Sequence, residues 1–371
     1  MEPVADTCTY CPKMCRHSCP VSTASAIETQ IPQAKVARLA QLRRGRAAWT
    51  VPETDPLWAC TGCRHCTSYC VHGVEPAALL FAGRAEAVQH GAEHPALVRY
   101  PERFRAREER LARVARERLP HARFAESANV GFWPGCDAID RGDADVRAQL
   151  ALLENVGADH VRLVDSERVC GGYPLLAAGH PEAFRWHATR VAEELRRYRT
   201  VVMSCSACVH AVRTIYPAEG IVVPAEVVHL TEYLVAFAER VLPRSIERGP
   251  VYYHDPCYLA RHQQVLEPPR RLLERVAEVR EFGWSPGDTE CCGGGGLLPK
   301  TMPEVASRMA RRRLREVVAA GGGTVATSCS TCKRMLEANA PPGVEVRDVV
   351  ELVHERSQQR AAASSSSQLT P

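Results

Sequence analysis

Residues 291–298 read CCGGGGLL, and residues 328–332 read SCSTC. The same pattern stands earlier in the chain, as CGGYPLL at 170–176 and SCSAC at 204–208. Upstream of each pair a single cysteine closes an apolar run, NVGFWPGC at 129–136 and PVYYHDPC at 250–257. Cys136 therefore corresponds to Cys257, Cys170 to Cys292, Cys205 to Cys329 and Cys208 to Cys332. HVRLVDSERVC, TVVMSC and TVATSC end in the same way, and each run reads as a buried strand that delivers a cysteine at its C-terminal end. Helical patterns occupy 144–156, 181–198, 231–241, 268–278 and 303–319, with Pro181 and Pro303 suited to first turns. Strands alternating with helices predict parallel α/β units. The expected fold is mixed, a mainly α N-terminal domain followed by two pseudo-symmetric α/β cysteine-rich lobes. A pseudo-twofold axis would set their loops on a shared cleft.

The N-terminal quarter carries two further groups. Cys8, Cys11, Cys15 and Cys19 precede Pro20, and Cys60, Cys63, Cys66 and Cys70 form CTGCRHCTSYC. Three closely spaced cysteines can wrap one face of a cubane, and in two-cluster ferredoxins the last cysteine of each motif serves the other cluster. That logic groups Cys8, Cys11, Cys15 and Cys70 at one [4Fe-4S] site and Cys60, Cys63, Cys66 and Cys19 at the other. The first motif is one residue longer in its middle gap than usual, and Val71 stands where proline is common. Structural zinc is the alternative, since CxxC pairs also hold it. Helical patterns at 22–46, with apolar Ile27, Val36, Leu39, Ala40 and Leu42, and at 75–89 make this domain mainly α.

The four groups use all seventeen cysteines of the 371 residues. Such density in a reducing compartment points to metal and away from disulfides. The start, MEPVADTC, lacks a signal peptide's basic and apolar regions, and no run approaches the roughly 20 apolar residues of a membrane span, so a cytoplasmic location is expected. A net charge of +4 gives no case for nucleic acid. Arginine and glutamate interleave at 99–123, which reads as a solvated linker helix with i,i+4 pairs. The expected organisation is a helical ferredoxin domain at 1–95, the linker at 96–128, a first lobe at 129–248, a second at 249–357 and a disordered tail at 358–371.

Residues 55–88, DPLWACTGCRHCTSYCVHGVEPAALLFAGRAEAV, resemble the helical ferredoxin domain of heterodisulfide reductase C-type subunits and of the iron–sulfur subunits of glycolate oxidase and anaerobic glycerol-3-phosphate dehydrogenase. The fourth group resembles the cysteine-rich CCG domain of heterodisulfide reductase B and D subunits, and the third group shares its layout. The resemblance implies a noncubane iron–sulfur cluster held by Cys257, Cys291, Cys292, Cys329 and Cys332. Adjacent cysteines can bind different irons of such an extended cluster, and Gly293 to Gly296 let backbone approach its sulfurs and offer N–H donors, with Gly293 and Gly294 the candidate cofactor-binding residues. Val169 replaces the first cysteine of the pair in the first lobe. Cys136, Cys170, Cys205 and Cys208 remain there for a cubane cluster, a zinc ion or a site without redox function.

His254 and Asp255 precede Cys257 and can hydrogen-bond a cluster sulfur or relay protons, or cap a strand end. His254, Cys291 and Cys292 are the candidate catalytic residues. His180, His210 and His229 read as ordinary core or surface residues, and Trp133, Trp284 and Tyr173 as packing around the sites. No convincing GxGxxG fingerprint offers a flavin or nicotinamide site. The leading function is an electron-transfer subunit served by an FAD-containing dehydrogenase or an electron-transfer flavoprotein system. The alternative is disulfide or heterodisulfide reduction at the second lobe, and the third is a scaffold with structural metal.

Overall fold

Proline opens the N-terminal helices. Pro20–Ser25, Pro32–Arg43, Val51–Trp58 and Pro76–Gln89 all carry proline in the first turn, where a missing N–H costs nothing. In the computed structural model, which describes residues 3–120, 123–142, 144–158, 160–242 and 249–367, the first hundred residues hold helices and turns and, among those described, no strand. The pattern at 22–46 is not one helix. Ala26 ends the first segment in the left-handed region, at φ 57°, and Pro32 opens the next after an extended Ile31. Ile27 falls in this break and is half exposed, whereas Val36, Leu39, Ala40 and Leu42 are buried as expected.

Two parallel sheets follow. The first has β1 (Phe124–Ala125), β2 (Ala128–Trp133), β3 (Arg162–Val164), β4 (Tyr198–Met203) and β5 (Glu226–His229), in the order β1-β3-β2-β4-β5. The second has β6 (Pro250–His254), β7 (Glu278–Glu281), β8 (Gly323–Thr327) and β9 (Val344–Asp348), in the order β7-β6-β8-β9. With β1 set aside, the two orders correspond strand for strand. The central strands are apolar runs, as parallel sheets covered on both faces require. The expected helix at 268–278 is shorter, Glu267–Leu273, because its last residue starts β7 and pairs with β6. Pro303–Ala319 forms as expected, and Pro181–Leu195 stops short of Tyr198, which opens β4.

The segment at 99–123 forms the helix Tyr100–Arg118. It is more than a solvated linker. Tyr100, Phe104, Glu108, Leu111, Ala112 and Ala115 are buried, and Arg107 and Arg110 reach across to Asp140. The closing helix runs Val349–Ser367 and takes in the serine run, and residues 368–371 of the expected tail lie outside the described residues.

Candidate metal centres

The two N-terminal motifs exchange their last cysteines. Burial and the neighbours Cys15, Cys70 and Cys11 push the Cys8 thiol up to about 12. Burial and then Cys19, Cys63 and Cys60 raise Cys66 well above the usual thiol range. Cys8, Cys11, Cys15 and Cys70 thus gather as one quartet and Cys19, Cys60, Cys63 and Cys66 as the other. Lys13 and Arg64 stand in the left-handed region inside the motif loops, which curls the chain round each quartet. Val74 N–H donates to Cys70 Sγ at 3.3 Å and Gly62 N–H to Cys60 Sγ at 3.4 Å.

In the second lobe β6 and β8 deliver Cys257 and Cys329, Cys332 lies in the first turn of the helix Ser330–Glu337, and Cys291 and Cys292 sit on the loop after β7. The five thiols gather in one cluster: Cys292 Sγ and Cys332 Sγ lie 3.2 Å apart in a hydrogen bond, Cys291 neighbours Cys257 and Cys292, and Cys329 neighbours Cys332. Hydrogen bonds from Cys291 and Cys332 hold Cys292 well below the usual thiol range, and one from Cys332 brings Cys329 to about 7. Gly293 N–H points at Cys291 Sγ and Gly294 N–H at Cys292 Sγ, both at 3.4 Å.

His254 is fully buried, and its Nδ1 accepts from Arg313 Nε at 3.2 Å. That bond places the neutral ring's proton on Nε2. Nε2 has no partner among the described residues, and a nitrogen of this ring lies within 4.8 Å of the sulfurs of Cys292 and Cys332. Burial first and the Arg313 charge second lower the His254 pKa to about 3, so the ring is neutral at physiological pH. Asp255 takes no part in this. Both its oxygens are clamped by Arg270, at 2.9 and 2.7 Å, which corrects its reading as a proton relay.

The first lobe gathers four thiols in the same order, Cys136 beside Cys170, Cys170 beside Cys208 and Cys208 beside Cys205. Val169 is turned into the core. Its N–H donates to Glu108 Oε1 at 3.1 Å and its carbonyl accepts from Trp133 Nε1 at 3.0 Å. Glu108 also lies 3.4 Å from His187 Nε2, which contacts the Cys170 carbonyl at 2.7 Å. Burial raises the Glu108 carboxyl to about 8. The cysteine loops of the two lobes face each other. Ser206 lies beside Cys329, and Thr331 Oγ1 donates to Asp137 Oδ2 at 2.5 Å. All nine lobe cysteines line one cavity of about 360 Å³, rimmed by Arg107, Lys300 and Arg334.

The N-terminal domain packs directly on this site. Cys63 lies beside Cys291, the largest influence holding its thiol well above the usual range. A Cβ on Gly295 would stand 2.4 Å from Thr61 O, and one on Gly296 2.2 Å from Cys60 O, so only glycine permits the approach. Tyr258 Oη donates to Thr61 O at 3.0 Å, and His262 Nε2 contacts Gly62 O at 2.9 Å. Arg84 is fully buried and spends all five N–H groups on the carbonyls of Leu57, Trp58, Cys60, Ala177 and Gly296. Lys35 and Arg261 are also buried and donate to Ala59 O and Cys63 O. Uncompensated buried cations are costly, and these three surround four thiols. The donor set therefore fits an anionic metal–thiolate group.

The remaining residues fall as expected. His229 caps the helix Leu230–Val241 and His180 pairs with Glu93, while His210 packs against Tyr173 and Tyr258. Trp284 packs on His65 and Tyr69 of the N-terminal domain. Lys35, Arg84, Glu108, Arg261 and Arg313 were not singled out in the sequence, although four of them are charges on apolar helical stripes.

The 4Fe-4S dicluster domain family matches residues 4–74, and the cysteine-rich domain family matches residues 130–213 and 251–337. Over 391 residues the chain is 28% identical to the D subunit of the dihydromethanophenazine:CoB–CoM heterodisulfide reductase of Methanosarcina acetivorans, covering 94% of this chain and 93% of the relative. It is 28% identical over 332 residues to a "Probable membrane-anchored ferredoxin" of Chromohalobacter salexigens, covering 83% of this chain and 49% of that one. It is 27% identical over 239 residues to "Probable iron-sulfur-binding oxidoreductase FadF" of Bacillus subtilis, covering 60% of this chain and 33% of that protein. Among the described residues no helix is long and apolar enough to cross a membrane. Cysteine spacing, crossed quartets and these relatives agree: the chain belongs to the iron–sulfur oxidoreductases that join a 4Fe-4S dicluster domain to two cysteine-rich domains, as the heterodisulfide reductase D subunits do.

Proposed function

We propose that the chain is the iron–sulfur subunit of an oxidoreductase and carries electrons between a partner flavoprotein dehydrogenase and an acceptor. In this reading Cys8, Cys11, Cys15 and Cys70 hold one [4Fe-4S] cluster, and Cys19, Cys60, Cys63 and Cys66 hold a second. Cys257, Cys291, Cys292, Cys329 and Cys332 hold a noncubane cluster, and the four thiols of the first lobe hold a cubane cluster or zinc. Such groups, when bound, accept and release single electrons. The observation that carries the reading is the direct apposition of Cys63 and Cys291, with Gly295 and Gly296 packed on the backbone of Thr61 and Cys60, which joins the ferredoxin-type domain to the second lobe. At the other end Tyr10, Met14 and Val71 are exposed around the first quartet and offer an apolar face for the flavoprotein. His254, fixed as an Nε2–H donor with no protein partner among the described residues, is free to donate to a sulfur of the bound cluster. The setting is the cytoplasm, with any membrane contact made through the partner.

The domain limits follow the same reading, 1–95, 96–128, 129–248 and 249–357, with residues 243–248 outside the described range. Matching strand orders and facing cysteine loops support a pseudo-twofold relation between the lobes.

Anaerobic iron, sulfide and zinc quantitation, with EPR of oxidised and reduced protein, tests the assignment. The expected result is iron and sulfide for at least three clusters and a noncubane signal that disappears in Cys292→Ser. A colourless, iron-free protein would refute the redox reading, and an unchanged signal in Cys292→Ser would reject the assigned site.

A second reading is reduction of a disulfide, in which two electrons and two protons convert one S–S bond into two thiols at Cys291–Cys292. The solvent-open cavity over these residues favours it. Thiol release from a disulfide with a reduced dye as donor, and no flavoprotein, separates the two. Val169 leaves the first lobe one thiol short, which supports transfer over a symmetric disulfide site.

A further inference from the structure

Lys35, Arg84 and Arg261 approach only one of the two N-terminal quartets. Lys35 is 2% exposed, and its Nζ donates to Ala59 O at 2.6 Å and to Cys19 Sγ at 3.7 Å. Arg84 donates to Cys60 O at 2.8 Å and Arg261 Nε to Cys63 O at 2.7 Å. Arg261 Nη1 goes to the carbonyls of Gly287 and Thr289, and its Nη2 has no partner among the described residues. No carboxylate lies within ion-pair distance of any of the three among the described residues. Their compensating charge is that of Cys19, Cys60, Cys63, Cys66 and whatever these thiolates bind, with Cys257 also within reach of Arg261.

The first quartet has no such company. Its charged neighbours are its own cysteines. Gln33 Nε2 donates to Cys8 O at 2.6 Å, and Lys13 and Arg16 share the one carboxylate of Glu28 at the surface, where solvent screens the remaining charge. Cys11, Cys15 and Cys70 are partly open to water. Reduction adds negative charge. Burial alone would make the second quartet's centre the harder of the two to reduce, because a low dielectric penalises that charge. Fixed cations held in the same low dielectric act in the opposite direction and are little screened.

We propose that Lys35, with Arg84 and Arg261, makes the Cys19/Cys60/Cys63/Cys66 centre the higher in potential of the two N-terminal centres, so that an electron arriving at the exposed quartet moves downhill and comes to rest beside Cys291. The inference rests on the reading that both quartets hold clusters. It adds the direction of transfer and names the residue that sets it. Lys35 acts on the potential and touches no substrate.

Redox titration of the anaerobic full-length protein, followed by EPR, is the test. Lys35→Gln keeps a donor for Ala59 O and removes the charge alone. With iron and sulfide content equal to the parent, the higher of the two N-terminal midpoints should fall toward or below the lower, which should stay in place. A higher midpoint that does not move, or movement confined to the lower one, overturns the proposal. Should Lys35→Gln lose iron, Cys70→Ser decides instead. It perturbs the spectrum of the exposed centre only, and the perturbed signal must be the one that appears second on stepwise reduction. If it appears first, the order of potentials is the reverse of that proposed. Absence of both clusters from the parent would count against the proposed function, whereas an inverted order with both present counts against this inference alone.

Discussion

Arg84 ties the N-terminal domain to both lobes, and its removal has a cost that can be worked out. Its guanidinium lies 4.5 Å from the Phe81 ring and 5.2 Å from the Trp58 ring and fills five carbonyl acceptors. A hydrogen bond from a charged donor contributes about 1.5 kcal/mol at the low end, so five contribute about 7 kcal/mol. Against this stands the burial of the charge. Burial lowers the Arg84 pKa from its ordinary value to about 10, which corresponds to about 3 kcal/mol. Arg84→Met forfeits the bonds and escapes the charge penalty, a net loss of about 4 kcal/mol. Arg84→Lys is not the milder change it looks. An ammonium has three donors, so two carbonyls lose their partner while the charge stays buried, and the loss is about 3 kcal/mol. Anaerobic urea unfolding of the cluster-loaded protein, followed by visible absorbance and far-ultraviolet circular dichroism, measures both. Absorbance should fall before helicity, because the loops at Cys60 and Gly296 part first. A Lys variant as stable as the parent, or a Met variant within about 1 kcal/mol of it, would refute the reasoning.

Gly295→Ala drives a methyl against Thr61 O and should destabilise by about 1–3 kcal/mol and slow electron transfer into the second lobe, whereas Gly249→Ala, with nothing within 4 Å, should be neutral. Equal stability of the two variants in denaturant titrations would contradict the close packing. His229 is buried neutral with its pKa lowered to about 4 by burial, so the unfolded chain takes up a proton that the folded chain refuses as pH falls below the usual histidine value. Its contribution is complete above about pH 6.5 and is lost on acidification, by about 2 kcal/mol at pH 5. His229→Asn keeps the helix cap and removes this titration, so its stability should fall less between pH 7 and pH 5. Parallel pH profiles for variant and parent would count against it.

The lobes were legible because strand, cysteine and turn recur twice in the same order. β2, β4, β6 and β8 stand where apolar runs end at cysteines, and the edge strands β5, β7 and β9 escaped because none carries a cysteine and each is only four or five residues long. The crossed quartets were legible for a chemical reason, since one curled loop cannot supply the fourth ligand of a cubane. The break at Ala26 was not, because a non-glycine residue in the left-handed region leaves no compositional mark.

The charges that surround the centres were legible in principle and passed over. Lys35 lies on the stripe Ile31, Lys35, Leu39, Leu42; Arg84 on Ala77, Leu80, Arg84, Ala87; Arg313 on Ala306, Met309, Arg313, Val317; and Glu108 on Phe104, Glu108, Leu111, Ala115. A helix keeps its apolar stripe for the core, so a charge at such a position is either an error of register or a buried group with a dedicated partner. Here each has one. Arg313 fixes the tautomer of His254, Glu108 accepts from the backbone at Val169, Arg84 joins three parts of the fold, and Lys35 faces Cys19. The cysteines say where the centres lie. The interrupted stripes say what field those centres feel, and in this chain the field is positive around one N-terminal quartet and not the other. Symmetry of ligands therefore does not carry over to symmetry of potential, and a two-centre wire built from near-identical motifs acquires a direction from three side chains outside the motifs.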